Sequence, residues 1–150
     1  MKKIIGFVLL CIILITACEK DDFCIQNPVT PKLILRFYDA NDRTTTKNAD
    51  ALYVWAEGKD SLFVNVVTDS LVIPLNSNTE QTVYNFSKGN VVEQFTINYT
   101  TENEYISRSC GFRVIYNNLS FTPSNNWITD FSTIETTVEN QNAAHVQVFH

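Results

Sequence analysis

Val91-Val92-Glu93-Gln94-Phe95-Thr96-Ile97-Asn98-Tyr99-Thr100 decides the fold. Phe95, Ile97 and Tyr99 alternate with Gln94, Thr96, Asn98 and Thr100, a period of two that suits a strand with one dry face and one wet face. Antiparallel sheets present such faces, whereas strands of parallel sheets are apolar on both. Just upstream, residues 82–86 give a second strand, and Lys88-Gly89-Asn90 turns the chain between the two as a hairpin. Downstream, Glu102-Asn103 is expected to interrupt the pattern before a strand from Tyr105. Cys110-Gly111 is expected to be a bulge or a close backbone approach, after which Phe112, Val114 and Tyr116 share a face.

The alternation recurs on both sides of this hairpin. Residues 32–38 place Leu33, Leu35 and Phe37 on one face, and residues 52–57 set Leu52, Val54 and Ala56 against Tyr53 and Trp55. Between them the polar run 39–50 has almost nothing to bury and is expected to be an exposed loop. Gly58-Lys59-Asp60 is a turn. Asp60-Ser61-Leu62-Phe63-Val64 is then echoed by Asp69-Ser70-Leu71-Val72-Ile73, which predicts a hairpin through Thr68-Asp69 with Leu62, Val64 and Val66 beside Leu71, Ile73 and Leu75. Pro74 lacks an N–H, so that strand lies at an edge or ends there. Residues 76–79 form a turn and residues 121–126 a loop around Pro123. Phe131, Ile134 and Val138 fall at helical spacing, yet the segment is rich in Thr, which favours a strand or irregular chain. Residues 139–144 connect to a terminal strand at 145–149. Strands every ten residues or so, with no convincing helix, define an all-β chain. The expected fold is an antiparallel β-sandwich, immunoglobulin-like, in preference to a closed barrel.

The first residues carry a different message. Lys2 and Lys3 precede an uncharged apolar run, 4–17, which ends at Ile15-Thr16-Ala17-Cys18 and gives way to Glu19-Lys20-Asp21-Asp22. The run is short of the roughly twenty residues that a membrane span needs. It resembles the signal peptide of bacterial lipoproteins, with Ile15 and Thr16 in place of the commoner Leu and Ala or Ser, and the resemblance implies a diacylglycerol on the Cys18 sulfur. A plain secretory peptide or a retained anchor are the competing readings. Glu19-Lys20-Asp21-Asp22 resembles the acidic export signal of Bacteroidota surface lipoproteins, and is equally a solvated tether. The expected organisation is a signal peptide at 1–17, acylated Cys18 and tether at 18–31, and a β-sandwich domain at 32–150. The expected location is the outer membrane, held by lipid, on its surface or its periplasmic leaflet.

Removing 17 of the 150 residues leaves 133, one domain with a full core. The sixteen acidic residues then face nine basic ones, a formal charge of −7 that opposes nucleic acid as a partner. Of four cysteines, Cys11 leaves with the signal peptide and Cys18 is acylated. Cys24 and Cys110 remain, and an oxidising compartment favours a bridge between them over two reduced thiols. The 87-residue loop closed from 24 to 110 would contribute about 4–5 kcal/mol in the chain-entropy model. A metal site is the weaker alternative, since neither a CxxC nor a paired His is present.

No constellation for catalysis, metal or cofactor stands out. The four glycines are scattered, without a phosphate loop. His145 and His150 are five apart, on opposite faces of a regular strand; His145 is expected at a core margin and His150 to fray. A hydrolase would draw on carboxylates such as Asp39, Glu57 and Glu93, or on a serine with His145. Trp55 and Trp127 are the candidate ligand-binding residues: exposed, they would stack on sugar faces or anchor a protein. The competing reading puts both rings in the core. Asp60-Ser61-Leu62 and Asp69-Ser70-Leu71 resemble the acceptor sequence for O-linked glycosylation in Bacteroidota.

Taken together, Thr30-Pro31-Lys32-Leu33-Ile34-Leu35-Arg36-Phe37-Tyr38-Asp39, Ser107-Arg108-Ser109-Cys110-Gly111-Phe112 and Glu139-Asn140-Gln141-Asn142-Ala143-Ala144-His145-Val146 resemble a family of small Bacteroidota lipoproteins classed as a domain of unknown function. The resemblance spans the mature chain and implies a cell-envelope location, with no catalytic residue to carry over. The expected function is a lipid-anchored binding or structural module of the envelope with a protein or glycan partner. The alternatives are an accessory subunit of an outer-membrane complex and a surface hydrolase of glycan or peptide.

Overall fold

A computed structural model describes residue 24 and residues 29–150. The expected signal peptide at 1–17, Cys18 with its expected lipid and most of the expected tether lie outside the described residues. Among the described residues nine strands run in chain order: β1 Leu33–Tyr38, β2 Ala49–Ala56, β3 Ser61–Thr68, β4 Ser70–Ile73, β5 Gln81–Lys88, β6 Val91–Ser107, β7 Gly111–Pro123, β8 Asp130–Thr133 and β9 Val146–Phe149. They form two sheets, ordered β4-β1-β9-β8 and β3-β2-β5-β6-β7. The β1–β4, β2–β3, β2–β5, β5–β6 and β8–β9 ladders are antiparallel, whereas in β1–β9 Leu35 to Tyr38 run parallel to Val146 to Phe149. The expected two-layer sandwich is therefore present, whereas the immunoglobulin-like arrangement expected with it is not confirmed by this strand order.

The core is what the alternation requires. Leu33, Leu35 and Phe37 from β1, Leu52 and Val54 from β2, Phe86 from β5 and Phe95 and Ile97 from β6 are fully buried between the sheets. Each such side chain contributes roughly 1.5–3 kcal/mol on leaving water. The expected β5–β6 hairpin is present, with Lys88 opposite Val91, and Gly89 supplies its corner with φ 60°. Pro74 follows directly on β4, an edge strand, as its missing N–H dictates.

Four expectations are corrected. The echoed segments do not form a hairpin: β3 pairs with β2, and β4 pairs with β1 in the opposite sheet. The chain changes sheets at Asp69, whose carbonyl accepts the Phe37 N–H at 2.8 Å and whose carboxylate meets Arg36 at 3.1 Å. Three register shifts along β2–β3, with Ala51 and Asn65 at φ 50°, break the alternation that the echo had suggested. Glu102-Asn103 does not interrupt a strand, because β6 runs through it to Ser107. Gly111, at φ 72°, closes the turn between β6 and β7 where a bulge was expected. His150, expected to fray, is buried: its N–H bonds the Tyr38 carbonyl and its ring packs edge-on against Phe37 and Trp127.

The chain divides into two compact units, residues 1–29 with 105–113, and residues 30–104 with 114–150. The larger holds the sandwich core. The smaller contains the Cys24–Cys110 disulfide, Cα atoms 4.8 Å apart, as expected from the cysteine usage.

Candidate functional site

The segment that follows β4 builds one wall of an open groove. Pro74, Leu75 and Asn76 cross toward β5, and their three successive carbonyls are each taken by a tyrosine hydroxyl of the five-stranded sheet. Tyr84 Oη donates to Pro74 O at 2.7 Å, Tyr116 Oη to Leu75 O at 3.0 Å and Tyr99 Oη to Asn76 O at 2.8 Å. Since Tyr99 has spent its one proton on Asn76, the 2.6 Å contact with Thr82 Oγ1 must be a donation from Thr82. Thr82 Oγ1 in turn accepts the Asn76 N–H at 2.9 Å, closing a ring of hydrogen bonds. Burial, and then the neighbouring tyrosines, pushes the Tyr84 hydroxyl up to about 12; burial and Tyr99 push Tyr116 up to about 12. The Tyr84 and Tyr116 hydroxyls stay neutral donors at ordinary pH.

The groove that this wall bounds has a volume of about 620 Å³ and is also lined by Glu57, Lys59, Asp60, Leu62, Asn78 and Val83. The Glu57 N–H still bonds Val83 O at 3.1 Å, so the β2–β5 ladder extends one residue past Ala56. Alternation then sets Glu57 on the same outward face as Trp55 and Tyr53. Trp55 is half-buried on that face, opposite Asn85, while the inward Leu52 and Val54 are fully buried. Among the described residues, the Glu57 and Asp60 carboxylates, the Lys59 ammonium and the Asn78 side-chain amide make no hydrogen bond or ion pair within the chain. Trp55 does not line the groove, but it shares the outward face of β2 with Glu57, and unengaged donors and acceptors of this kind suit hydrogen bonds to a hydroxyl-rich ligand.

The second tryptophan is used otherwise. Trp127 Nε1 donates to Phe86 O at 3.0 Å, and its ring lies 6.0 Å from that of Phe37, a core residue. Lys88 Nζ lies 5.4 Å from the same ring and 3.0 Å from His150 Nδ1. Trp55 and Trp127 therefore face opposite sides of the five-stranded sheet, and the structure does not bring the two candidate ligand residues together.

The carboxylates named as hydrolase candidates are likewise dispersed. Asp39 binds Lys47 at 3.1 Å, and Glu57 lies in the groove. Glu93 is fully buried, on the same face as Phe95 and Ile97. It accepts Ser124 Oγ at 2.9 Å and the N–H groups of Asn125 at 2.8 Å, Asn126 at 2.7 Å, Trp127 at 3.1 Å and Ile128 at 3.4 Å. Burial alone would push its pKa up, but these donors outweigh burial and hold it below the usual carboxylate range. Glu93 is a structural anion that organises the chain after β7. The signal for it was in plain sight, an acid in phase with the inward residues of the best strand. His145 is buried with its Nδ1 accepting the Ile34 N–H at 3.0 Å, so that nitrogen is engaged in the fold.

The two Asp-Ser-Leu sequences differ in access. Ser61 is exposed at the start of β3, whereas Ser70 donates its hydroxyl to Leu35 O at 3.2 Å and Leu71 is fully buried.

Fold and site together define a two-layer β-sandwich with an open groove of mixed polarity at the ends of β2 and β5. Residues 51–150 match the model of a family described as Family of unknown function (DUF6452), and the chain belongs to that family. The match takes in the Ser107–Phe112 and Glu139–Val146 stretches that carried the resemblance; the stretch from Thr30 to Asp39 precedes it. No curated protein and no solved structure matches the chain.

Proposed function

We propose that the protein is a lipid-anchored module of the bacterial cell envelope that binds a neutral, hydroxyl-rich ligand, a glycan, in the groove beside Trp55. The observation that carries this reading is the set of groove side chains that the fold leaves unengaged, Glu57, Lys59, Asp60 and Asn78; the partly exposed Trp55 ring lies outside the groove lining, on the same outward face of β2 as Glu57, and serves as a flanking stacking surface. Burying part of an aromatic ring against sugar C–H groups supplies affinity, and Glu57, Asp60 and Asn78 supply direction through hydrogen bonds. The mature charge of −7 disfavours an anionic ligand. The anchor reading rests on the Ile15-Thr16-Ala17-Cys18 box, with outer-membrane residence and a Bacteroidota source resting on the acidic residues after it and on the resemblance already described.

The test is calorimetric titration of the mature domain with oligosaccharides released from the envelope of the host cell. The wild type is expected to bind, Trp55→Ala to weaken binding about tenfold or more, and Tyr105→Ala to leave it unchanged. Binding that is indifferent to Trp55→Ala would remove the stacking surface from the account, and binding indifferent to Glu57→Gln and Asp60→Asn together would remove the groove. A second reading, an accessory subunit, is favoured by the open edge of β3, where Leu62, Val64 and Val67 are exposed. In-cell crosslinking from position 64 separates the two, since a protein adduct there supports the subunit reading. The hydrolase alternative takes Glu57 and Asp60 as its carboxylates and requires product release that Glu57→Gln abolishes.

A further inference from the structure

The smaller unit carries two aromatic rings that the sandwich core does not use. Tyr105 and Phe112, on either side of the β6–β7 turn, are 58% and 66% exposed and pack edge-on with ring centroids 5.3 Å apart. Side chains this large and apolar are normally hidden, so a paired, exposed set needs an occupant.

Three features of the same unit say which. The turn is covalently joined to Cys24 through Cys110. Cys24 lies six residues beyond Cys18 in the sequence, a reach of at most about 20 Å even if fully extended. Ser107 Oγ accepts the Cys110 N–H at 3.1 Å, which fixes the turn that displays the rings.

Resting on the acylation of Cys18 proposed above, we infer that the β6–β7 turn lies on the bilayer that holds the lipid, with the Tyr105–Phe112 pair at headgroup level. Aromatic rings favour that interfacial layer, where an apolar body and a wet edge are both accommodated. The attraction need not be strong. A short tether makes the contact intramolecular, at an effective concentration on the order of millimolar, so weak interfacial affinity suffices. The disulfide keeps the tether short: without it, the chain between lipid and turn would lengthen from six residues to more than eighty.

The experiment uses the full lipidated protein bearing Phe112→Trp, reconstituted in vesicles of phosphatidylethanolamine and phosphatidylglycerol, with or without bromine on the acyl chains. The fluorescence added by the new Trp, relative to the wild type, is expected to fall by about half or more in brominated vesicles. Adding Cys24→Ser and Cys110→Ser is expected to reduce that quenching at least about twofold while flotation with vesicles is retained. Equal fluorescence in both vesicle types, with the protein still floating, overturns the contact and leaves the anchor standing. Failure to float overturns the anchor, and the contact with it. Unquenched fluorescence together with a crosslink from position 112 to an envelope protein in cells would also overturn it, giving the turn to a protein partner.

Discussion

Removing one oxygen, in Tyr99→Phe, breaks the hydrogen-bonded ring that fixes the groove wall. The Tyr99 hydroxyl donates to Asn76 O at 2.8 Å and accepts from Thr82 at 2.6 Å, at a residue only 3% exposed. The substitution leaves Asn76 O and the Thr82 proton without these partners. A neutral hydrogen bond is worth about 1 kcal/mol, and a buried orphaned group costs about 1–3 kcal/mol, so a loss of about 2–3 kcal/mol is expected. That loss corresponds to roughly 6–15 °C in Tm for a domain of this size. Urea unfolding at pH 7 measures it, with Tyr105→Phe as the exposed control expected to change stability by less than about 0.5 kcal/mol. Weakened glycan binding is expected alongside, because Asn76 lines the groove. A Tyr99→Phe protein as stable as the control would refute the reasoning. The same wall predicts an alkaline limit. Tyr84 and Tyr116 are raised in the folded state, so their contribution is fully present below pH 10 and is lost as the pH rises through about 12.

Two further outcomes follow from buried groups. Glu93→Gln replaces an anion held by four backbone N–H groups and Ser124, and is expected to cost about 2–4 kcal/mol at pH 7 in urea unfolding. Because the folded pKa of Glu93 is lowered, its contribution is present above about pH 4.5 and is lost as the pH falls through the folded value; a variant as acid-sensitive as the wild type in that range would contradict this. His145 and His150 are lowered by burial, His150 also by the charge of Lys88, so the unfolded chain binds more protons. Stability should therefore decline as the pH drops below about 6.5, and His145→Gln should flatten that decline; a flat wild-type profile between pH 7 and 5 would refute it.

How much of this was legible depended on how local the cause was. The β1, β5 and β6 faces follow from alternation alone, because each strand is regular and half-buried, and Leu33, Leu35, Phe37, Phe95 and Ile97 lie where the pattern puts them. The β3–β4 segment misled because a repeated pentapeptide and an Asp turn also suit a hairpin. The change of sheet is instead set at Asp69 by Arg36 and the Phe37 N–H, some thirty residues away in sequence, which no local pattern contains. The Cys24–Cys110 bridge was legible from elimination among four cysteines. The groove was not, since Glu57, Asp60 and Asn78 are ordinary turn residues until the ordered Pro74–Asn76 wall stands beside them. Trp55 and Trp127 were indistinguishable as residue types, and were separated only by which side of the five-stranded sheet each faces.

The proposed attachment through Cys18 underlies the proposed location, partner class and bilayer contact alike, and intact-mass measurement of the protein extracted from its native cells tests it most directly. The account predicts a chain that begins at residue 18 and carries the mass of a diacylglycerol, with Cys18→Ser protein lost from the membrane fraction. A chain without added lipid, or a Cys18→Ser protein that sediments with membranes as the wild type does, would contradict it.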